Sequence, residues 1–177
     1  LVGSEMCIRD RLKVIKYMHQ VKLDNLILYI ASSPRVKDLG KTKLYKLIYF
    51  CDVRNLREHG ETITSSDFIK YKHGPVPSRA EKRLKALKRD DKISVELKTK
   101  GGHKLHEVKA LVSPDCTVFS DEELENIKFV CADLGKKTAV SLSSLSHEEP
   151  SWVFAKMGKS LSSDLMLYGA SEEAEGL

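Results

Sequence analysis

The residues of this chain best suited to chemistry are its histidines and the groups beside them. His73-Gly74-Pro75-Val76 stands just ahead of a long charged stretch. Such a tetrapeptide could serve as a general base, a phosphate cradle or a docking corner. A cradle needs several glycines and a helix N-terminus whose amides converge on the anion. Here there is one glycine, and Pro75 and Pro77 donate no amide, so the rigid turn is the favoured reading. His103 and His106 lie three apart in an alternating stretch, where residues three apart face opposite sides of a strand and cannot chelate easily. His147-Glu148-Glu149 begins like a zinc-protease motif but has no second histidine four residues on. No metal ligand set and no cofactor motif is expected.

The remaining candidates are single residues. Asp52 falls inside a nearly all-apolar stretch. A buried carboxylate must be paired or hydrogen-bonded, so it is either a structural acid or the mark of a cleft. Cys51, Cys116 and Cys131 are scattered, with no CxxC pair, and fit core thiols in a reducing compartment. No GxSxG elbow occurs. Arg79, Lys82, Arg83, Lys85, Lys88, Arg89 and Lys92 crowd one charged stretch that could lie along phosphates. Glu81, Asp90 and Asp91 interleave with them, so a solvated helix face with internal ion pairs is the simpler reading.

Positioning these groups requires a core, and 177 residues are enough for one. Apolar residues make up 41% and charged residues 31%, an ordinary globular balance. No apolar run approaches the roughly 20 residues of a membrane helix. The opening puts charges where a signal peptide has its apolar region, so a cytoplasmic location is expected. Met6-Cys7-Ile8-Arg9-Asp10-Arg11 looks like translated sequencing adaptor. Residues 1–17 are therefore set apart as non-native, with Met18 the first plausible start. They carry Arg9, Arg11, Lys13 and Lys16 against Glu5 and Asp10, so the formal charge of +5 falls to +3 for residues 18–177. That surplus is weak support for nucleic-acid binding.

Apolar spacing at Leu23, Leu26, Ile27 and Ile30 predicts a helix ending near Pro34. A second helix is predicted to start at Thr42 as N-cap and to stop at Gly60. Its middle, LYKLIYFCDV, is apolar nearly all round, broken by Lys46 and Asp52, and so should be central and buried. A polar loop and a short extended segment lead to the HGPV turn. A helix over Ser78–Asp91 follows, with Ala80, Leu84 and Leu87 as a thin apolar stripe. Ile93, Val95 and Leu97 alternate with polar residues, as do Val108, Ala110 and Val112. With Gly101-Gly102 between them they predict a β-hairpin. Ser120 and Glu123 form a capping box for a helix ending at Gly135. A further helix ends near Pro150. The domain should run over 18–160, and the acidic tail over 161–177 is expected to be partly disordered. The expected fold is mainly α (α+β): a single-domain helical bundle with one small antiparallel hairpin.

Taken together, KLIYFCD running into an HG stop, the DFIKYKHGPV strand and turn, the helix after it, and a late His-Glu element before a tryptophan resemble the Panacea, or SocA-like antitoxin, family. The resemblance covers roughly residues 20–157. His73 stands where the family often has an aromatic, and Ser146 where a threonine usually precedes the histidine. The resemblance implies a bacterial or phage antitoxin without catalytic activity. Its partner would be a cognate protein toxin encoded beside it, and some members hand the toxin to a cytoplasmic ATP-dependent protease. Matched to the family motifs, the partner-binding residues are Phe50, Asp52, Tyr71, His73, Gly74, Pro75, Val76, His147, Glu148 and Trp152. If the turn, Asp52, His147 and Trp152 share one cleft, Trp152 is its natural anchor. Two rivals stay open: a nucleic-acid binder using Arg79, Lys82, Arg83, Lys85 and Arg89, and a hydrolase using His73 or His147.

Overall fold

Apolar residues on every side of the second predicted helix have one stable solution, which is to surround it. In the computed structural model, which describes residues 2–100 and 102–169, helix α2 (Lys41–His59) occupies that place. It packs against α1 (Val2–Ser32), α4 (Asp121–Leu134), α5 (Ala139–Glu148) and strand β2 (Gly74–Pro77). Leu44, Leu47, Ile48, Tyr49 and Cys51 are fully buried and meet Leu26, Ile27 and Ile30 of α1 in one core. The remaining elements are β1 (Phe68–Tyr71), α3 (Ala80–Arg89), β3 (Ile93–Lys100), β4 (His103–Ala110), α6 (Pro150–Phe154) and α7 (Ser163–Met166). The fold is mainly α with a β component, in a single domain.

Several ends follow local rules. Gly60 adopts φ 78° after α2, the left-handed stop that favours glycine. Ser120 accepts from the Glu123 amide while the Glu123 carboxylate accepts from the Ser120 amide, completing the capping box of α4. Ala80, Leu84 and Leu87 are the buried stripe of α3. Gly135 ends α4 in a right-handed conformation, packed where a Cβ would lie 2.7 Å from the Arg35 carbonyl oxygen. Its role is close approach.

Four details go beyond or differ from the sequence reading. α2 begins at Lys41 with Gly40 as N-cap, and Thr42 lies inside the helix. Beside the expected β3–β4 hairpin, the described residues form a second antiparallel hairpin, a tight β1–β2 pair in which Ile69 faces Val76 and Lys70 faces Pro75. Residues expected to be tail return to the core. Leu161 and Met166 are buried, and the Leu161 amide donates to the Phe68 carbonyl. The last eight residues, 170–177, lie outside the described residues. Finally, Val112 is exposed beyond the end of β4. α1 continues through the segment set apart in the sequence, where residues 8–18 are exposed and contribute nothing to the core.

Asp52 pins a loop. Its carboxylate is fully buried and accepts from the Thr64 amide at 2.9 Å and from the Thr64 hydroxyl, whose oxygen lies 2.9 Å from that of Ser66. Burial pushes its pKa up to about 7, against the opposing pull of the Thr64 and Ile63 hydrogen bonds. A carboxyl with a raised native pKa takes up a proton that the unfolded chain has released. Stability therefore falls as pH rises from about 4 to about 7, and is level above. We expect urea unfolding to show this slope, at most about 1.4 kcal/mol per pH unit. Asp52→Asn, which keeps an acceptor for the Thr64 amide, should flatten it.

Candidate functional site

The β1–β2 turn is built for closeness. Gly74 takes φ 98°, a region side chains rarely adopt, and a Cβ there would sit 2.3 Å from Ser146 Oγ and 2.6 Å from Lys46 Cε. Glycine is thus required twice over, by backbone angle and by space. Pro75 has no amide to give to the ladder, and its carbonyl accepts instead from Lys46 Nζ at 2.7 Å. Lys46 is 1% exposed, and burial draws its pKa down to about 7.

From the other side α5 grips the same turn. Ser143 Oγ donates to the His73 carbonyl at 2.9 Å, and Ser146 Oγ donates to the Ser143 carbonyl at 2.8 Å. His147, on the same helix, stacks on Trp152 of α6 with centroids 3.9 Å apart and planes 20° from parallel. Lys70 Nζ lies 4.0 Å from the Trp152 ring centroid and donates to the carbonyls of Val153 and Ala155, closing the end of α6. The His147 pKa is lowered, first by burial and then by the positive charges of Lys46, His73 and Lys70. His147 Nε2 and Trp152 Nε1 are both enclosed without a hydrogen-bond partner among the described residues. A shallow cavity of about 340 Å³ opens beside His73, His147, Ser143 and Ser144.

The structure therefore brings His73, Gly74, Pro75, His147 and Trp152 into one corner. Val76 is half-buried on β2, and Tyr71 lies exposed at the margin. Asp52 does not join them, because its partners are in the 63–66 loop. Phe50 is also apart: it lines a groove of about 350 Å³ with Arg54, Arg57 and Phe129, where the Arg54 guanidinium lies 3.7 Å over the Phe129 ring. Glu148 is exposed. Its neighbour Glu149 is the buried acid, and it accepts from Arg57, which also donates to the carbonyls of Met166 and Tyr168. Lys46, Lys70, Ser143 and Ser146 join the motif residues in the corner. Lys46 left a trace in the sequence as a charge within an apolar helix, and Ser146 as a departure from the family pattern, whereas nothing local pointed to Lys70 or Ser143.

The chemistry available is limited by where the protons go. The hydroxyls of Ser143 and Ser146 spend their protons on backbone carbonyls, so neither is held by an imidazole as an activated nucleophile would be. The basic helix is also partly committed. Arg83 makes a two-bond pair with Asp24 at 2.7 and 2.6 Å, Arg79 donates to the Ser65 carbonyl, and Arg89 pairs with Asp90. Lys85 lies 4.0 Å from Glu81, and Lys82 is exposed. Among the described residues no group of three or more His, Cys, Asp or Glu is placed to hold a metal. No described helix is long and apolar enough to cross a membrane.

Fold and corner define a small α+β domain whose hairpin is clamped between a central helix and a late histidine-bearing helix. The family model described as Antitoxin SocA-like, Panacea domain matches residues 44–153, from α2 to α6, and the chain belongs to that family. No curated protein and no solved structure matches it.

Two outcomes follow from the clamp. Gly74→Ala should destabilise the fold by roughly 2–4 kcal/mol, read by chemical denaturation. Lys46 has a native pKa below its unfolded value of 10.5, so the cost of burying its charge is relieved as pH rises between about 7 and 10. Wild type should gain stability over that interval, and Lys46→Met should lose the gain.

Proposed function

We propose that this chain neutralises a partner toxin by direct protein–protein binding, without catalysis. The observation that carries the proposal is that the antitoxin family match spans the clamped corner from end to end. The corner itself suits recognition. Its proline strand, its glycine turn and the stacked His147–Trp152 pair are held by hydrogen bonds before any partner arrives. A surface ordered in advance loses little entropy on binding. The corner suits hydrolysis poorly. His147 is surrounded by positive groups, no carboxylate orients it among the contacts of the described residues, and the hydroxyls of Ser143 and Ser146 are spent on carbonyls. Delivery of the bound toxin to an ATP-dependent protease is a further step consistent with this reading, since a binder that leaves its cargo's other surfaces free can act as an adaptor.

Co-expression with the protein encoded beside this gene tests the proposal. Toxin alone should arrest growth, the pair should restore it, and the two should co-purify as a complex. The toxin recovered from the complex should be chemically unmodified, as read by mass spectrometry. Arrest unrelieved by this chain would refute the antitoxin reading. Relief that depends on His73, with a modified toxin and no stable complex, would point to catalysis.

A further inference from the structure

The segment that follows α6 is held rigid and yet faces solvent. The Lys70 amide donates to the Lys159 carbonyl and the Gly158 amide to the Lys70 carbonyl, each within 2.9 Å, and Gly158 turns the chain at φ 75°. These bonds dock residues 156–160 along the free edge of β1, where Ile69 also bridges Ser160. The edge is thereby closed to strand addition. What remains outward is apolar: Phe154 is 74% exposed, Met157 60% and Tyr71 51%. Around them stand the exposed lysines Lys72, Lys156 and Lys159. The two stretches that make this face, 69–78 and 150–163, contain no acidic residue.

We infer that this patch is the surface on which the partner docks, and that it takes an acidic segment carrying exposed apolar side chains. The inference rests on the antitoxin reading for the partner's identity as a toxin. Large exposed side chains on a stiff backbone are the usual anchors of protein interfaces, where Phe, Tyr and Met are enriched. A rim of one sign steers and selects a partner of the opposite sign. A nucleic-acid strand fits less well, because Met157 and the aliphatic Val153 offer no succession of stacking platforms.

The test has two arms, both using the full chain. Random peptides displayed on phage are selected on wild type, and synthetic versions are measured by fluorescence anisotropy. The expected binders combine Asp or Glu with apolar residues. Their affinity should fall about tenfold or more for Phe154→Ala combined with Lys156→Glu and Lys159→Glu, and replacing their acids by lysine should restore binding to a protein carrying Lys156→Glu and Lys159→Glu with Phe154 intact. All three positions are exposed, so circular dichroism should be unchanged. An absence of binders, binders without acids, or affinities indifferent to the variant would overturn the inference. Loss of self-association in the variant, or binding of wild type to anionic lipid vesicles but to no acidic peptide, would overturn it by assigning the patch another occupant. In the second arm the variant is co-expressed with the neighbouring gene's product. Neutralisation by both wild type and variant would sink the patch and leave the antitoxin reading standing. Failure of wild type, with acidic peptides still bound at the patch, would sink the antitoxin reading alone.

Discussion

Lys46 reaches from the most buried face of α2 to the carbonyl of Pro75, and the corner depends on that bond. An ammonium group taken out of water is costly unless it is paired. A proline carbonyl is a suitable acceptor, because the proline's missing amide has already broken the strand ladder on its own side. The glycine before it lets the hairpin come close enough for the bond to form, since any side chain there would strike Lys46 itself. Backbone angle, missing donor and buried cation are thus three parts of one constraint. It explains why an otherwise apolar helix carries a lysine at its centre.

The same device recurs along α2. Lys43 donates to the carbonyls of Lys37 and Gly135, Tyr49 meets Ser151 across 2.9 Å, and Asn55 donates to the Glu61 carbonyl. Asp52 holds the 63–66 loop. Lys43, Asp52 and Asn55 secure segments between the regular elements, while Lys46 and Tyr49 reach β2 and α6. Apolar packing alone would hold the helices against α2 without fixing the loops, because hydrophobic contact is non-directional. Buried hydrogen bonds supply the direction, and their loss leaves an unpaired group at full desolvation cost. The helix therefore works as core and as a set of pins.

That double role sets what could be read from sequence. Local rules were legible: the stripe of α3, the stop at Gly60, the capping box at Ser120, the alternation of β3 and β4. The buried rank of α2 was legible too, because no amphipathic face was left for solvent. The partners of its polar residues were not, since Lys46 and Pro75 are 29 positions apart and nothing local links them. The β1–β2 hairpin was hidden because prolines argue against a strand, and here it is an edge pair rescued by the lysine. Glu148 and Glu149 are alike in sequence. Only the position of Arg57 makes the second the buried one. The motif residues Gly74, Pro75, His147 and Trp152 could be grouped from the family pattern, whereas Asp52 belongs to the same pattern for a different reason: it is a pin of the scaffold.

A corner so clamped has its shape settled by its own contacts. Trp152 is fixed by an imidazole stacked at 3.9 Å and an ammonium 4.0 Å from its ring centroid, and that ammonium also closes the end of α6. The contacts thereby transmit rigidity outward from Lys46 through the hairpin to the segment after α6, whose own side chains stay in solvent. Catalysis needs a group that changes protonation or bonding as the reaction proceeds. Here Ser143 and Ser146 spend their hydroxyl protons on backbone carbonyls. A surface whose shape is settled before a partner arrives loses little entropy on binding, and under the proposed binding function the bond from Lys46 to Pro75 and the hold of Lys70 on the end of α6 would supply that order.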